Sequence, residues 1–289
     1  MDPAAPPHVA RNTEELRARV FAWRREGDRI GLVPTMGALH AGHLALVEAA
    51  KAKANRVVVS IFVNPAQFAP NEDLDRYPRD FEGDLDKLKR QGLADLIYAP
   101  EPTAMYPAGF ATAVRVAGVA EGLESTIRPH FFGGVATVVS KLFMQCQPDI
   151  AAFGEKDYQQ LQVVKRMVKD LDIPVEIEGV PTLREHDGLA MSSRNAYLST
   201  AERKIAGFLN VVLKEVALAV RQGRPVKDAM QSGRARLLKL GFSAVDYVEV
   251  RDADTLAPIE AYKGNARVLA AARLGKTRLI DNIAAEGDH

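Results

Sequence analysis

Residues 30–63 read IGLVPTMGALHAGHLALVEAAKAKANRVVVSIFV, and this stretch decides the fold. The apolar run at 30–33 predicts a buried strand, and the β-branched run at 57–63 predicts a second one. Between them, residues 43–54 have the apolar spacing of a helix. A strand, a helix and a strand in so short a stretch form a βαβ unit, whose two strands lie parallel in one sheet.

The same alternation extends on both sides of this unit. Further helices are predicted at 13–25, 81–91, 134–146 and 158–169. Further strands are predicted at 95–98, 150–153 and 175–180. Strands that alternate with helices form a parallel sheet that is covered by helices on both faces. The sequence therefore predicts an α/β fold for this part of the chain.

The pattern changes after about Leu183, where a capping box at 199–202 opens a new helical segment. The elements predicted for this part are helices at 200–220 and 226–240 and strands near 245–250 and 267–273. We interpret residues 183–289 as a smaller α+β domain. We expect it to pack against the first domain, residues 1–182, through the segment at 181–195.

The composition excludes several classes of protein. Lys plus Arg total 38 against 37 Asp plus Glu, so we expect no general attraction to nucleic acid or to an acidic membrane. Cys146 is the only cysteine, which excludes an intrachain disulfide and is typical of the reducing cytoplasm. Residues 1–9 lack the pattern of a signal peptide, and we interpret them as an unstructured leader. Since no apolar run approaches the ~20 residues that span a bilayer, we predict a soluble protein, and the single cysteine fits a cytoplasmic one.

The turn between the first strand and its helix, VPTMGALHAGH at 33–43, carries the strongest functional signal. In an open α/β sheet ligands bind where strands end, and a helix N-terminus there offers free N–H groups to a phosphate. Gly37 and Gly42 permit close approach to the backbone, and His40 and His43 are spaced to share one face. A structural turn that happens to contain histidines is the alternative. The H-x-G-H spacing resembles the HIGH-type signature of adenylyl-transferring enzymes, and it is neither a G-x-G-x-x-G motif nor a Walker A loop.

Three further segments are candidates for the same edge of the sheet. FGEKDYQQ at 153–160 offers its lysine to a triphosphate, Asp157 to a ribose or a helix N-terminus, and Gln160 to the same crevice. MSSR at 191–194 offers hydroxyl and guanidinium donors that suit a mobile clamp on phosphates. NPAQF at 64–68 directly follows the second strand. Each segment also has a purely structural alternative. Residues 153–160 would then be an exposed charged turn, residues 191–194 a polar turn between domains, and residues 64–68 a plain turn.

Together with Tyr77-Pro78-Arg79, these segments resemble the motif set of the pantothenate synthetase family, the pantoate–β-alanine ligases of the HIGH-type nucleotidyltransferase superfamily. The motifs match in order and spacing from about Val33 to Asn282. The resemblance implies a Rossmann-like parallel sheet domain followed by a smaller α+β C-terminal lid domain, in a cytoplasmic homodimer. It also implies a reaction of pantoate, β-alanine and ATP, with Mg²⁺, that gives pantothenate, AMP and pyrophosphate through a pantoyl adenylate.

The resemblance also implies roles for individual residues. The implied catalytic residues are the proton donor His43 and its companions His40, Lys156 and Arg194. Gln67 is implied to bind pantoate and β-alanine, and Gln160 is implied to bind pantoate. The residues implied to bind ATP are Met36, Gly37, Ala38, Leu39, His40, Ala41, Gly42, His43, Gly154, Glu155, Lys156, Asp157, Leu183, Met191, Ser192, Ser193 and Arg194.

One segment departs from the family pattern. The family usually has R-P-x-H-F-x-G-V where residues 128–135 read RPHFFGGV, so His130 is displaced by one position and Phe131 stands in its usual place. We assign no role to this histidine. Arg128 still matches, and it is implied to help substrate entry or contacts between subunits. The ligands of Mg²⁺ stay unassigned, with Asp84 as one candidate.

Other functions are compatible with part of the pattern. A nucleotidyltransferase of the same superfamily would share the H-x-G-H turn, but it would not require Gln67, Gln160 or an amine substrate. A non-catalytic nucleotide-binding module would be expected to lack some of the phosphate-facing donors, all of which are present. An aminoacyl-tRNA synthetase would carry an anticodon-binding domain or a basic surface for RNA, and the sequence indicates neither.

Overall fold

The computed structural model describes residues 7–69, 72 and 74–286, and its central feature is a parallel sheet. The strands of this sheet are β1 His8–Ala10, β2 Ile30–Thr35, β3 Arg56–Ile61, β4 Leu96–Tyr98, β5 Ile150–Gly154 and β6 Glu176–Val180. Their order across the sheet is β1-β4-β3-β2-β5-β6, and each neighbouring pair is parallel. The predicted α/β architecture is confirmed.

Helices cover both faces of this sheet, as the alternating pattern predicts. They are α1 Thr13–Arg25, α2 Ala41–Lys53, α3 Phe81–Gln91, α4 Pro102–Met105, α5 Glu124–Ile127, α6 Phe131–Cys146 and α7 Tyr158–Asp170. On β2, Leu32 packs in one apolar cluster with α1, α6 and α7, whereas Val33 packs in another with α2 and α3. Successive side chains of a strand point to opposite faces, so a strand buried on both sides is apolar throughout.

The chain changes the direction in which it adds strands at β2. It places β3 and β4 on one side of β2, and it then pairs β5 with the other side through Gly31–Ile150 and Leu32–Ala151. The turns that follow β2 and β5 therefore leave the carboxyl edge of the sheet next to each other. In an open α/β sheet, such a switch point opens a crevice in which ligands bind.

The rest of the described chain forms a smaller α+β part, as predicted. Its elements are α8 Thr200–Ala206, α9 Phe208–Arg221, α10 Val226–Lys239, β7 Ala244–Asp252, β8 Ala266–Leu274 and β9 Thr277–Ala284. The strands form an antiparallel sheet in the order β7-β8-β9, which packs with α9 and α10 around a separate apolar core. Tyr247 and Leu269 of this sheet also contact the core of the parallel sheet. No helix of the described chain has both the length and the apolar character that crossing a membrane requires.

The amino-terminal end differs from its prediction. His8 and Val9 were expected in an unstructured leader, but they belong to β1 because their backbone pairs with Leu96 and Ile97 of β4. Composition cannot reveal this pairing, since the partner strand lies far along the chain. The remainder of the predicted leader, residues 1–6, is outside the described residues.

The carboxyl-terminal part differs from its prediction in two elements. β9 was not predicted, and it forms a tight hairpin with β8. The helix predicted over 200–220 is two helices, α8 and α9, which meet at Gly207. A Cβ added at Gly207 would lie 2.8 Å from the backbone oxygen of Asp187, so this point of the chain is pressed against another segment. Phe208, on the first turn of α9, is 41% exposed.

Gly134 is the point at which α6 packs against the turn that follows β3. A Cβ added at Gly134 would lie 2.3 Å from the backbone oxygen of Ala66, whereas one added at Gly133 meets nothing within 4 Å. We predict that Gly134→Ala destabilises the protein by about 1–3 kcal/mol, because the helix and the turn must separate. The control Gly133→Ala gains helix propensity without a clash. Thermal unfolding measures both variants, and equal melting temperatures would contradict this packing.

Candidate active site

A crevice of about 870 Å³ lies at the carboxyl ends of β2 and β5 and extends to the antiparallel sheet. It collects most of the residues that the sequence analysis singled out. Those that line it are Met36, His40, Gly42, His43, Gln67, Gly154, Lys156, Asp157, Gln160, Leu183, Met191, Ser192, Ser193 and Arg194. The predicted residues that are not among its lining residues are Gly37, Ala38, Leu39, Ala41 and Glu155.

The turn after β2, residues 36–39, is held by a carboxylate of helix α3. Asp84 is 1% exposed, and its two oxygens accept hydrogen bonds from the backbone N–H groups of Ala38 (2.8 Å) and Leu39 (2.7 Å). Gly37 and Ala38 both adopt positive φ, at 79° and 52°, a conformation that costs a non-glycine residue energy. Asp84 therefore stabilises a strained turn, and Leu39 is buried beneath it.

The two histidines begin helix α2. His40 is the N-cap residue, and its backbone N–H donates to Nδ1 of His43 at 3.3 Å. The two rings are 4.1 Å apart between centroids. Because Nδ1 of His43 accepts a hydrogen bond, its neutral ring carries the proton on Nε2. His43 is thereby a donor for a ligand in the crevice.

Both imidazoles are held in the neutral form. Burial, helped by the charge of Lys156, lowers the pKa of His40 to about 4. Burial, together with the neighbouring His40 and with Lys156, lowers the pKa of His43 to about 3. Desolvation disfavours the charged form of a base, and nearby cations add to the effect. At neutral pH the pair therefore donates hydrogen bonds without adding positive charge.

The turn after β5 carries Lys156, which lines the crevice. Lys156 has its Nζ 3.6 Å from Oδ2 of Asp157, and the side chain of Lys156 is 20% exposed. The neighbouring Glu155 does not line the crevice, and its carboxylate pairs instead with Arg267 of β8 at 3.0 Å. Glu155 therefore supports the turn from the side of the antiparallel sheet.

The segment at 191–194 reaches the crevice from the opposite side. A β-bridge between Arg184 and Ala190 forms a small hairpin that leads into it. Ser193 Oγ donates to the backbone oxygen of Ala38 at 3.1 Å, which ties this segment to the turn after β2. The guanidinium of Arg194 lies over the ring of Tyr77 at 5.8 Å. Donors from distant parts of the chain thus face one space.

Both glutamines singled out in the sequence line the crevice. Gln67 accepts a hydrogen bond from Nδ2 of Asn64 at 3.1 Å, and its own Nε2 lies 2.9 Å from the sulfur of Met36. Asn64 is 1% exposed and also accepts from the hydroxyl of Tyr106 at 2.7 Å. Gln160 lies on the first turn of α7 and lines the same crevice.

The model of the family described as Pantoate-beta-alanine ligase matches residues 8–284. The chain belongs to the pantoate–β-alanine ligase family. A pantothenate synthetase of Paramagnetospirillum magneticum is 57% identical over 279 residues, covering 96% of this chain and 98% of the relative. Another, of Caulobacter vibrioides, is 56% identical over 281 residues with coverage of 96% and 98%.

Solved structures agree with this family. The pantothenate synthetase of Thermus thermophilus superposes with a TM-score of 0.89 at 48% identity, covering 96% of this chain and 99% of that one. The pantoate–β-alanine ligase of Francisella tularensis, solved in complex with beta-gamma ATP and beta-alanine, has a TM-score of 0.83 at 32% identity, with coverage of 98% and 99%. The family resemblance drawn from the sequence motifs is confirmed, and with it the Rossmann-like fold class.

The departure from the ligase pattern at 128–135 places a phenylalanine in the crevice wall. Phe131 is 8% exposed and lines the crevice, whereas His130 is exposed. The guanidinium of Arg128 lies 3.9 Å over the ring of Phe131 and donates to Glu72 at 2.7 Å. Phe131 thus contributes an aromatic ring to the crevice wall, and the ion pair of Arg128 with Glu72 lies beside it.

Sequence reasoning missed two supports of the crevice. Asp84 was considered for a metal ion, but both of its oxygens are occupied by the turn after β2. Asn282 of β9 was quoted only as the end of the resemblance, and its side chain donates to the backbone oxygens of Glu155 and Lys156. For Asp84, its place in the first turn of a predicted helix was an available signal. For Asn282 no local signal exists, because β9 itself was not predicted.

Asp84→Asn tests the support of the turn after β2. The amide places a donor against a backbone N–H, so we predict a loss of about 1–3 kcal/mol of stability and a higher KM for ATP. Asp86→Asn on the same helix is the control, because the side chain of Asp86 is 65% exposed. Chemical denaturation and steady-state kinetics measure both effects. Equal behaviour of the two variants would remove Asp84 from the site.

The lowered pKa values predict an acid-sensitive fold. Folded His40 and His43 take up protons near pH 4 and 3, whereas an unfolded histidine does so near about 6.5. The unfolded state thus binds more protons below about pH 6.5, and stability falls as the pH decreases from there. We predict that the double variant His40→Gln/His43→Gln loses part of this dependence. Unfolding free energies at pH 7.5 and 5.0 measure it, and an identical pH dependence in both proteins would refute neutral burial.

Proposed function

We propose that this crevice condenses pantoate with β-alanine at the expense of ATP, through an enzyme-bound pantoyl adenylate. In the first step a carboxylate oxygen of pantoate bonds to the α-phosphorus, and the bond from that phosphorus to pyrophosphate breaks. In the second step the amine of β-alanine attacks the acyl carbon, AMP leaves, and the amine loses its proton to solvent. The convergence of phosphate-type donors and two glutamines on one crevice carries this proposal.

The donors of the crevice suit the first step. Negative charge grows on the phosphate oxygens as pyrophosphate leaves, and each donor aimed there typically contributes ~10²–10³ in rate. Neutral His43 offers its Nε2 proton, and His40, Lys156 and Arg194 complete the donor set around the triphosphate. The charge of a bound triphosphate would raise the pKa of both imidazoles, which favours proton donation to the leaving group.

The glutamines suit the binding of pantoate. An amide can hold the hydroxyl groups and the carboxylate of pantoate without neutralising the carboxylate, which has to stay nucleophilic. An arginine fork would bind the same carboxylate in a charge-assisted pair and lower its reactivity. Asn64 holds Gln67 from behind, which supports a fixed orientation of that amide. We assign Gln67 to pantoate and to the approach of β-alanine, and Gln160 to pantoate.

Mg²⁺ is proposed as a partner of ATP. Within the described part of the chain, no three His, Cys, Asp or Glu side chains are grouped to hold a metal ion. Mg²⁺ usually keeps several waters and binds through substrate phosphates with one or two carboxylates. A crevice without a dedicated metal cluster therefore suits an ion that arrives with the nucleotide. Asp157 at the crevice is 42% exposed and would hold it. The bound ion would supply positive charge to the departing pyrophosphate.

We further propose that residues 183–289 form a domain that acts as a lid on residues 1–182. The contact between Ser193 and Ala38 supports this arrangement, because it joins the two parts across the crevice mouth. A lid would exclude water from the reactive adenylate.

The proposed cytoplasmic location rests on the family and on the single cysteine, which is buried. The proposed homodimer rests on the family alone, and light scattering of the purified protein tests it.

Detection of the intermediate tests the proposed function. With ATP and pantoate but without β-alanine, mass spectrometry should reveal pantoyl adenylate, and added β-alanine should convert it to pantothenate. A nucleotidyltransferase of the superfamily would form no pantoyl adenylate, and it would release pyrophosphate only when its own phosphorylated acceptor was added to take the AMP group. Absence of the adenylate under these conditions would reject the proposal.

His43→Gln tests the assignment of the proton donor. We predict that adenylate formation slows by about 10²–10⁴-fold while the fold persists, since the amide still donates a hydrogen bond but cannot give a proton to the leaving group. His130→Gln is the matched control, because His130 is exposed and displaced from the family position. Pantoate-dependent exchange of pyrophosphate into ATP measures both variants. An unchanged exchange rate in His43→Gln would exclude this role.

A further inference from the structure

Two consecutive residues of β9, Asp281 and Asn282, contact the two phosphate-facing segments, and Asp281 also lines the crevice. Each is 3% exposed, and each side chain is fully occupied by hydrogen bonds. Neighbouring side chains of a strand point to opposite sides. One of the two therefore reaches the turn after β5, and the other reaches the hairpin that leads to residues 191–194.

Asn282 holds the turn that carries Lys156. Its Nδ2 donates to the backbone oxygens of Glu155 (2.9 Å) and Lys156 (2.8 Å). Its Oδ1 accepts from Nε of Arg267 at 2.7 Å, which fixes the orientation of the amide. Arg267 in turn pairs with the carboxylate of Glu155 and stacks on Tyr158 at 4.0 Å. The direction in which Lys156 leaves the backbone thus depends on the antiparallel sheet.

Asp281 holds the hairpin that leads to residues 191–194. Its two oxygens accept from Nη1 and Nη2 of Arg184 at 2.7 and 3.0 Å, a bidentate pair. The same guanidinium donates to the backbone oxygens of Gly188 (3.1 Å) and Asn282 (3.2 Å). Arg184 forms a β-bridge with Ala190, the residue before segment 191–194. This hairpin is therefore fixed to the same strand as the turn of Lys156.

We propose that Asp281 and Asn282 are positioning residues for the triphosphate, and this inference rests on the proposed function. They set the separation between Lys156 and the donors of residues 191–194 by holding both segments against one rigid strand. Neither side chain needs to contact the nucleotide. A displacement of a reacting group by about 1 Å can cost roughly 10²-fold in rate, so a fixed separation has kinetic value.

A double-mutant cycle between Asn282 and Lys156 tests whether Asn282 positions Lys156. Asn282→Asp keeps the shape and the contact with Arg267 but replaces the two N–H donors with an oxygen that faces two carbonyls. We expect kcat/KM for ATP in the pyrophosphate exchange reaction to fall by roughly tenfold or more. In a Lys156→Ala background the same change should have less than about a twofold effect, because the group it positions is gone. Equal effects in both backgrounds would overturn the inference.

A second cycle tests whether Asp281 positions the donors of residues 191–194. Asp281→Asn weakens the bidentate pair, and we expect it to raise KM for ATP in the unaltered background but much less in a Ser193→Ala background. Additive effects would overturn the positioning role of Asp281. Gln231→Ala is the control for both cycles, because it removes an exposed amide from α10 of the same half of the chain. It should leave exchange unchanged.

Folding is checked first by thermal unfolding of every variant. If Asn282→Asp does not fold, Arg267→Gln replaces it, since Arg267 orients the amide of Asn282. The second half-reaction gives an independent readout. Pantoyl adenylate supplied to the Asn282 variant should react with β-alanine at the normal rate, and a matching loss there would indicate a merely structural defect and overturn the inference. Failure of the unaltered chain to form adenylate would instead reject the proposed function.

Discussion

The pairing of β2 with β5 is the constraint on which the rest of the site depends. Each of these parallel strands ends in a turn that leads to a helix, and their adjacency places both turns at one edge of the sheet. The amino termini of α2 and α7 then direct free N–H groups and partial positive charge toward the same space. Histidine and lysine side chains that are far apart in the chain therefore meet at this edge.

Several cationic donors in one crevice would repel one another, and this repulsion is reduced because two of the donors are neutral. Two imidazoliums beside Lys156 would repel that lysine and each other in a medium of low polarity. Burial keeps the pKa of His40 near 4 and that of His43 near 3. Neutral imidazoles still donate hydrogen bonds, so the crevice retains its donors while its resting positive charge stays low. Negative charge arrives with the nucleotide.

The antiparallel sheet contributes through ion pairs that are partly or largely buried. Arg184–Asp281 joins that sheet to the hairpin before the clamp, and Arg267–Glu155 joins it to the turn after β5. Arg278 makes a bidentate pair with Glu124 at 2.8 and 2.7 Å, which links β9 to the wall of the crevice. Buried pairs give little net stability after desolvation, but removal of one partner is costly. Their value here lies in fixing relative positions.

Local sequence patterns determined the alternation of strands and helices, the cap of α8, the turn with His40 and His43, and the motifs of the ligase family. These features depend on residues a few positions apart, so they can be predicted without the fold. The tertiary structure alone decided that β1 and β9 are strands and that Gly207 divides a helix. It also decided that Asp84 serves a backbone turn and that Asn282 supports Lys156. Each of these depends on partners distant in sequence, whose proximity arises only when the sheets assemble and bury their faces.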